Sequence, residues 1–415
     1  MEKEFSKRII VAKFGGSSLA DSERIVKAAK TVAKEVEKGN MVVVVTSAMG
    51  KTTDELIKLL KKTSNENIEK MDLDDVLSMG ERTSARIFAT ALKSQGFKVR
   101  YFDPSDQDWP IITDDNFSNA NPILDECEKR IKESILPLLK DGIIPIIGGF
   151  IGKTKNGRVS TIGRGGSDTT AFLIARALKA NEVVLVTDSD GIMTADPKIV
   201  SNAKKLDRID VDTLLGLADS GLKFIHRKAL KYKHPSIQAK VINFKYEDLS
   251  SPGTIITGGL STELEVGLAI DSQALSITIV GSALSKNPRI LEELISTINS
   301  SSSLLGFSGN QNSIICYVLK NESYPKLLEK IHELVINYKD AIAMSIRDDL
   351  AFVKVKGVGL EDTPGIIGKI SETLRLNDIN IFGILTIASS ILIFVKWEER
   401  IKALELMKKA LEVRV

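Results

Sequence analysis

The chain is 415 residues long, enough for two or three domains, and 43% of it is hydrophobic, which excludes a disordered chain. Its 57 lysines and arginines nearly balance 54 acids, leaving a net charge of +3, and no long basic run appears, so no nucleic-acid partner is expected. Cys127 and Cys316 are isolated thiols and His226, His234 and His332 lack ligand spacing, which argues against a disulfide scaffold and a cysteine or histidine metal site and predicts a reducing, cytoplasmic location.

The opening MEKEFSKRIIVAKFGG mixes acids and bases around a short apolar run, unlike a signal peptide. Near-continuous Val/Ile runs predict buried parallel strands at Arg8 to Phe14, Met41 to Thr46, Ile143 to Ile147 and Val183 to Val186. Between the first two, Ser22 to Glu37 places Ile25, Ala28, Ala29 and Val32 on one face and predicts a helix. Glu81, in Ser78-Met79-Gly80-Glu81-Arg82, reads as the beginning of another helix, where a carboxylate is favourable. The longest apolar stretch, GIIPIIGGFIG, is far too short to span a membrane and holds a proline. This alternation predicts an α/β fold with an open, mostly parallel sheet between helices, and Ser250 to Gly259 is a turn-rich end to it.

Two shorter β–α–β units are expected beyond that point. The first runs from Ala274 to Val280, through a helix near Arg289 to Thr297, to Ser313 to Leu319. The second runs from Ala351 to Lys356, through Pro364 to Leu374, to Ile391 to Val395. Ser300 to Ser303 reads as a loop. The predicted boundaries are 1–258, 270–345 and 346–415, with the C-terminal strand able to return to the first small unit.

Ligands of open α/β sheets bind at the carboxyl ends of strands, and polar or glycine-rich turns stand there: Gly15-Gly16-Ser17-Ser18, Thr46 to Gly50, and Thr187-Asp188. Two phosphate-binding templates fail. Gly50-Lys51-Thr52 follows a strand, but Val45 stands where a Walker loop needs glycine, and Gly15-Gly16 lacks dinucleotide spacing. The string Gly163-Arg164-Gly165-Gly166-Ser167-Asp168 runs into the helical TTAFLIARALKA. It reads either as a glycine turn capped by Ser167 or Asp168, or as an anion-holding loop in which Arg164 grips a carboxylate or phosphate. Lys13 reads either as a solvent lysine or as an ammonium over phosphates at the Gly15-Gly16 turn.

Five segments occur in the order and approximate spacing of aspartate kinases: Lys13 to Ser18, Ser47 to Asp54, Gly80-Glu81-Arg82, Thr161 to Asp168 and Asp188 to Pro197. The chain resembles that family throughout, strongly to about residue 258. The resemblance implies an amino-acid-kinase fold followed by two ACT-type α+β units. It also implies ATP-dependent phosphorylation of the L-aspartate β-carboxylate with Mg²⁺, the first step toward lysine, threonine and methionine. Lys13 and Asp168 would be catalytic. Ser47, Thr53, Glu81, Arg164, Gly165, Gly166 and Ser167 would hold aspartate, Arg164 on its α-carboxylate and Glu81 on its α-ammonium. Lys13, Phe14, Gly15, Gly16, Ser47, Thr187, Asp188, Met193, Asp196, Lys198 and Lys223 would line the nucleotide pocket.

Departures accompany the likeness. Lys198 stands where arginine is commoner, and His226-Arg227-Lys228-Ala229 replaces a stretch that often reads His-Pro-Arg-Ala. The second small unit keeps Thr363-Pro364-Gly365-Ile366, whereas the first has Lys286-Asn287-Pro288-Arg289 in place of a Pro-Gly turn. A lysine or threonine effector at these units is one expectation, and a role limited to homodimer or higher assembly is the other. The competing functions are an amino-acid-sensing regulator without turnover, and a kinase of the same fold acting on another small carboxylate or a nucleotide.

Overall fold

The computed structural model describes residues 7–64, 68–218, 225–259, 264–268, 272–357, 360, 364–387 and 390–412. The chain divides into two compact units, Met1–Leu260 and Ser261–Val415.

The first unit opens with β1 (Ile9–Phe14), α1 (Ser22–Glu37), β2 (Met41–Thr46), α2 (Thr52–Thr63), α3 (Lys70–Lys93) and β3 (Val99–Phe102). There follow β4 (Ile112–Thr113), α4 (Leu124–Ser134), α5 (Leu136–Lys140), β5 (Ile144–Gly148), β6 (Ile151–Thr154), β7 (Val159–Thr161) and α6 (Gly166–Leu178). It closes with β8 (Glu182–Thr187), β9 (Arg208–Asp210), α7 (Val211–Ala218), α8 (Arg227–Leu230), β10 (Gln238–Asn243) and β11 (Thr254–Thr257).

Eight strands form one sheet in the order β3-β5-β2-β1-β8-β10-β11-β9. Neighbours from β3 to β10 are parallel, and β11 turns antiparallel to β10. The four strands expected from Val/Ile runs are the four adjacent members β5, β2, β1 and β8. Val42 to Val45 are at most 1% exposed, as strands covered on both faces should be. α1 buries its predicted face over β1 and β2, with Asp21 Oδ1 accepting from Arg24 N at 2.9 Å as its cap. β8 begins one residue early at Glu182, where Arg8 and Lys240 each lie 3.3 Å from its carboxylate and allow an acid in the sheet. A second, three-stranded sheet, β4-β6-β7, stands apart.

Glu81 does not begin a helix. It lies inside the 24-residue α3, which runs through Gly80 because that glycine faces Ala48: a Cβ there would meet the Ala48 Cβ at 2.8 Å.

The second unit contains β12 (Glu265–Leu268), β13 (Ala274–Gly281), α9 (Pro288–Ser301), β14 (Leu304–Gly309), β15 (Ser313–Leu319), α10 (Tyr324–Asn337) and β16 (Ala341–Lys356). It ends with α11 (Ile366–Arg375), β17 (Gly383–Ile387), β18 (Ser390–Lys396) and α12 (Arg400–Ala410). Its seven strands form one sheet, ordered β14-β15-β13-β16-β18-β17 with β12 on β16. The strand expected at Ala351 to Lys356 is the second half of β16, whose 16 residues pair first with β13 and then with β18. Residues 345 and 346 therefore lie inside one strand. Each half has its own core, one around Ile277, Leu294 and Ile331, the other around Val353, Ile370 and Ile393. Ser300 and Ser301 belong to the last turn of α9, not to a loop; the Ser300 hydroxyl bonds back to Thr297 O at 2.8 Å. No helix among the described residues is long and apolar enough to cross a membrane.

Candidate active site

β1, β2, β5 and β8 end side by side at Phe14, Thr46, Gly148 and Thr187. Backbone bonds knit the turns that follow. Gly15 N donates to Val186 O at 3.0 Å, Ser47 N to Phe14 O at 3.0 Å, Gly50 N to Gly16 O at 3.0 Å, and Gly149 N to Thr46 O at 2.8 Å. Gly16 has no room for a side chain, since a Cβ would lie 2.7 Å from Ala48 O. The turn is thus closely backed on one side and presents bare main chain on the other, the form a phosphate cradle takes.

Lys13 is not a solvent lysine. Its side chain is 16% exposed, and Nζ lies 2.7 Å from Asp168 Oδ1 in an ion contact whose angles fall outside hydrogen-bond geometry. Asp168 reaches it from the first turn of α6, where a carboxylate is favoured by the helix dipole. Neither Ser167 nor Asp168 caps that helix: Gly165 does, at φ +73°, a left-handed conformation suited to glycine. Arg164 stands exposed on this turn and takes no carboxylate partner among the described residues. Ser167 packs on Gly149, where a Cβ would lie 2.7 Å from Ser167 Cα, and Gly166 packs as closely on Phe150.

Glu81 comes to the same strand ends from α3. Its Cβ would lie 3.2 Å from a Cβ on Gly148, and it is only 4% exposed. Burial pushes its carboxyl up to about 7, against a smaller opposing pull from the backbone of Ala48 and of Glu81 itself. Glu81 Oε2 and Thr46 Oγ1 are buried without a hydrogen-bond partner. A carboxylate left unsatisfied there is suited to an ammonium group brought by a ligand.

Lys13, Gly15, Gly16, Ser47, Glu81, Ser167 and Asp168 therefore gather around four adjacent strand ends. Phe14 ends β1 with its ring in the core, 5.3 Å from that of Phe88. Thr53 is the second residue of α2. On the β8 side, the Thr187 hydroxyl bonds Asp188 Oδ1 at 3.1 Å, Met193 bridges Lys205, and Asp196 Oδ1 accepts from Lys198 N at 2.9 Å. Asp196 thus shapes the turn that exposes Lys198. Lys223 lies outside the described residues. Three contributors escape sequence reasoning: Gly148-Gly149, Asp74 and Lys228. The first carried a readable signal, a glycine pair at a strand end like Gly15-Gly16.

No group of three or more His, Cys, Asp or Glu able to hold a metal occurs among the described residues.

The amino acid kinase family matches residues 8–243, and the ACT domain matches residues 345–409. Aspartokinase of Geobacillus stearothermophilus is 34% identical over 90% of this chain and 89% of its own. Aspartokinase 2 of Bacillus subtilis is 30% identical over 98% of each. Among solved structures, aspartate kinase from Synechocystis superposes with a TM-score of 0.77 at 25% identity, covering 98% of this chain and 70% of that one. E. coli aspartokinase III, solved with aspartate and ADP, gives 0.54 at 23% identity over 97% of this chain and 100% of its own, a likeness of fold. With strand-end geometry and full-length relatives in agreement, the chain belongs to the aspartate kinases of the amino acid kinase family, with an ACT domain toward its C-terminus.

Proposed function

We propose that this chain transfers the γ-phosphoryl group of ATP to the β-carboxylate of L-aspartate, giving 4-phospho-L-aspartate and ADP. The observation that carries the reading is the buried Lys13–Asp168 contact at a glycine-backed turn, with the unsatisfied Glu81 carboxyl at neighbouring strand ends. The full-length relatives named aspartokinase support it.

The nucleophile is a carboxylate, already ionised at neutral pH, so no strong base is required. The demands are charge neutralisation and in-line alignment, which lysine, arginine and main-chain amides supply. Lys13 stabilises charge on the transferring group, and Asp168 holds that ammonium in place. Glu81 takes the α-ammonium of aspartate, and Arg164 takes its α-carboxylate through a two-bonded fork. Ser47, Thr53, Gly165, Gly166 and Ser167 complete the substrate side. Phe14, Gly15, Gly16, Thr187, Asp188, Met193, Asp196, Lys198 and Lys223 serve the nucleotide. Mg²⁺, when bound with the nucleotide, adds charge neutralisation on the phosphates.

The proposed domains are 1–258 for catalysis, then ACT-type units at 270–345 and 346–415, which share the strand β16 across that boundary. The enzyme is read as a cytoplasmic homodimer or higher homo-oligomer at the head of lysine, threonine and methionine synthesis, with the ACT units serving either a lysine or threonine effector or assembly alone. Hydroxylamine trapping of the acyl phosphate tests the reaction, with aspartate, glutamate and acetylglutamate compared. Aspartyl hydroxamate is expected from aspartate alone, and its absence refutes the reading. Titrating lysine and threonine into the same assay tests regulation: inhibition by one of them supports an effector role, and unchanged rates with both leave the ACT units to assembly alone.

A further inference from the structure

Two charged side chains outside the reacting set hold the loop that carries Arg164. Asp74 is completely buried on α3, and its carboxylate accepts four hydrogen bonds: from Ser118 N at 2.8 Å, Ser118 Oγ at 3.1 Å, Thr161 N at 2.7 Å and Thr161 Oγ1 at 2.7 Å. Lys228, on α8, points its ammonium at four uncharged acceptors. These are Asn119 Oδ1 at 2.7 Å, Ile162 O at 2.7 Å, Ala120 O at 2.9 Å and Asn119 O at 3.2 Å. Between the two, Ala120 N donates to Thr161 O at 2.9 Å.

Residues 118–120 and 161–162 are thereby drawn into one block, an anion gripping amide and hydroxyl donors on one side and a cation gripping carbonyls on the other. The Arg164 turn is seated on that block. Gly163, at φ +81°, has Ser118 O and Asn119 Oδ1 within 3.0 and 3.1 Å of where a Cβ would stand, and Gly165 is backed by His226. An apolar side chain at 228 would fill the same space without the cost of a half-buried ammonium, which burial pushes down to about 8. What it would lose is the gathering of three carbonyls and one amide oxygen.

Asp74 and Glu81 are seven residues apart on α3, roughly 10 Å and two turns along one face. The helix that carries Glu81 therefore also anchors the block beneath Arg164. We propose that Asp74 and Lys228 are positioning residues that fix the span between Arg164 and Glu81, and so set the affinity for the amino-acid substrate. This rests on the reading that those two residues hold the ends of aspartate.

The test uses the full chain and the hydroxamate assay, with Lys228→Met, Lys228→Arg and Asp74→Asn. Displacing Arg164 by a fraction of an ångström should raise the aspartate KM about tenfold to a hundredfold in Lys228→Met, leaving the ATP KM within about twofold. Lys228→Arg keeps a charged multiple donor and should recover most of the loss. In an Arg164→Ala background, Lys228→Met should add less than about twofold, because neighbouring groups acting through one another are not additive. An unchanged aspartate KM in Lys228→Met, an equal rise in both KM values, or a full effect in the Arg164→Ala background overturns the proposal. If Asp74→Asn fails to fold, the Lys228 pair and the background test still decide. Wild-type chain that yields no aspartyl hydroxamate refutes the functional reading instead, so the two failures are distinct.

Discussion

Glu81 titrates in the range where its role can be read directly. Its carboxyl stands at about 7 because burial penalises the charged form, and only that form attracts an ammonium. The ionised fraction falls from about nine-tenths at pH 8 to about one-tenth at pH 6, so apparent aspartate affinity should weaken about tenfold over that interval. Calorimetric titration of aspartate without nucleotide isolates this step from the ionisation of ATP. Glu81→Gln should bind weakly and with no pH dependence. The same substitution should stabilise the fold. Between pH 4.5 and 7 the native state keeps a proton that the unfolded chain has released, so native stability declines with rising pH, by up to about 3 kcal/mol. Glutamine removes that decline, and urea melts at pH 5 and 8 should show the gain only at pH 8. Flat wild-type affinity from pH 6 to 8, or normal affinity in Glu81→Gln, would refute the reasoning.

Lys13→Ala should lower kcat about a hundredfold to a thousandfold, since it removes charge stabilisation at the transferring group and strands Asp168; near-normal turnover contradicts the role. Arg164→Lys keeps the charge but loses the fork, so the aspartate KM should rise roughly tenfold with ATP binding unaffected. The opposite pattern would move Arg164 to the nucleotide. Gly16→Ala must displace the turn from Ala48 O, 2.7 Å from the new methyl, and should raise the KM for ATP more than that for aspartate. Equal KM values for ATP in the two proteins would count against the cradle.

The central strands were legible because both faces are covered and the Val/Ile runs are unbroken. β4, β6 and β7 were not, being two to four residues long, too short for a periodicity to show, and β4 pairs with β6 about forty residues on. At the site, residue types were readable while their pairings were not: nothing local joins Lys13 to Asp168. Ser78-x-Gly80-Glu81 looks like a helix start because glycine usually marks a break, whereas Gly80 is there to let Ala48 approach. Asp74 was invisible for the same reason of distance, and Lys228, though it stands in the departing His226-Arg227-Lys228-Ala229 stretch, gave no sign of its partners. Asp74 meets its partners 44 and 87 residues away, and Lys228 meets its own 66 to 109 away.

β16 is one uninterrupted strand serving both halves of its sheet, and β12, which precedes both halves, completes the second by pairing at Val353 to Lys356. Two mechanical consequences follow. A fragment cut at residue 346 would keep only the start of its border strand, leaving the β13 edge from Ala274 to Ile277 uncovered and ready to pair with other chains. A two-residue slide of β16 against β13 would carry the same strand about 7 Å past β18 and β12. Neither half can change register in private, so strain entering one is felt by the other through the backbone itself.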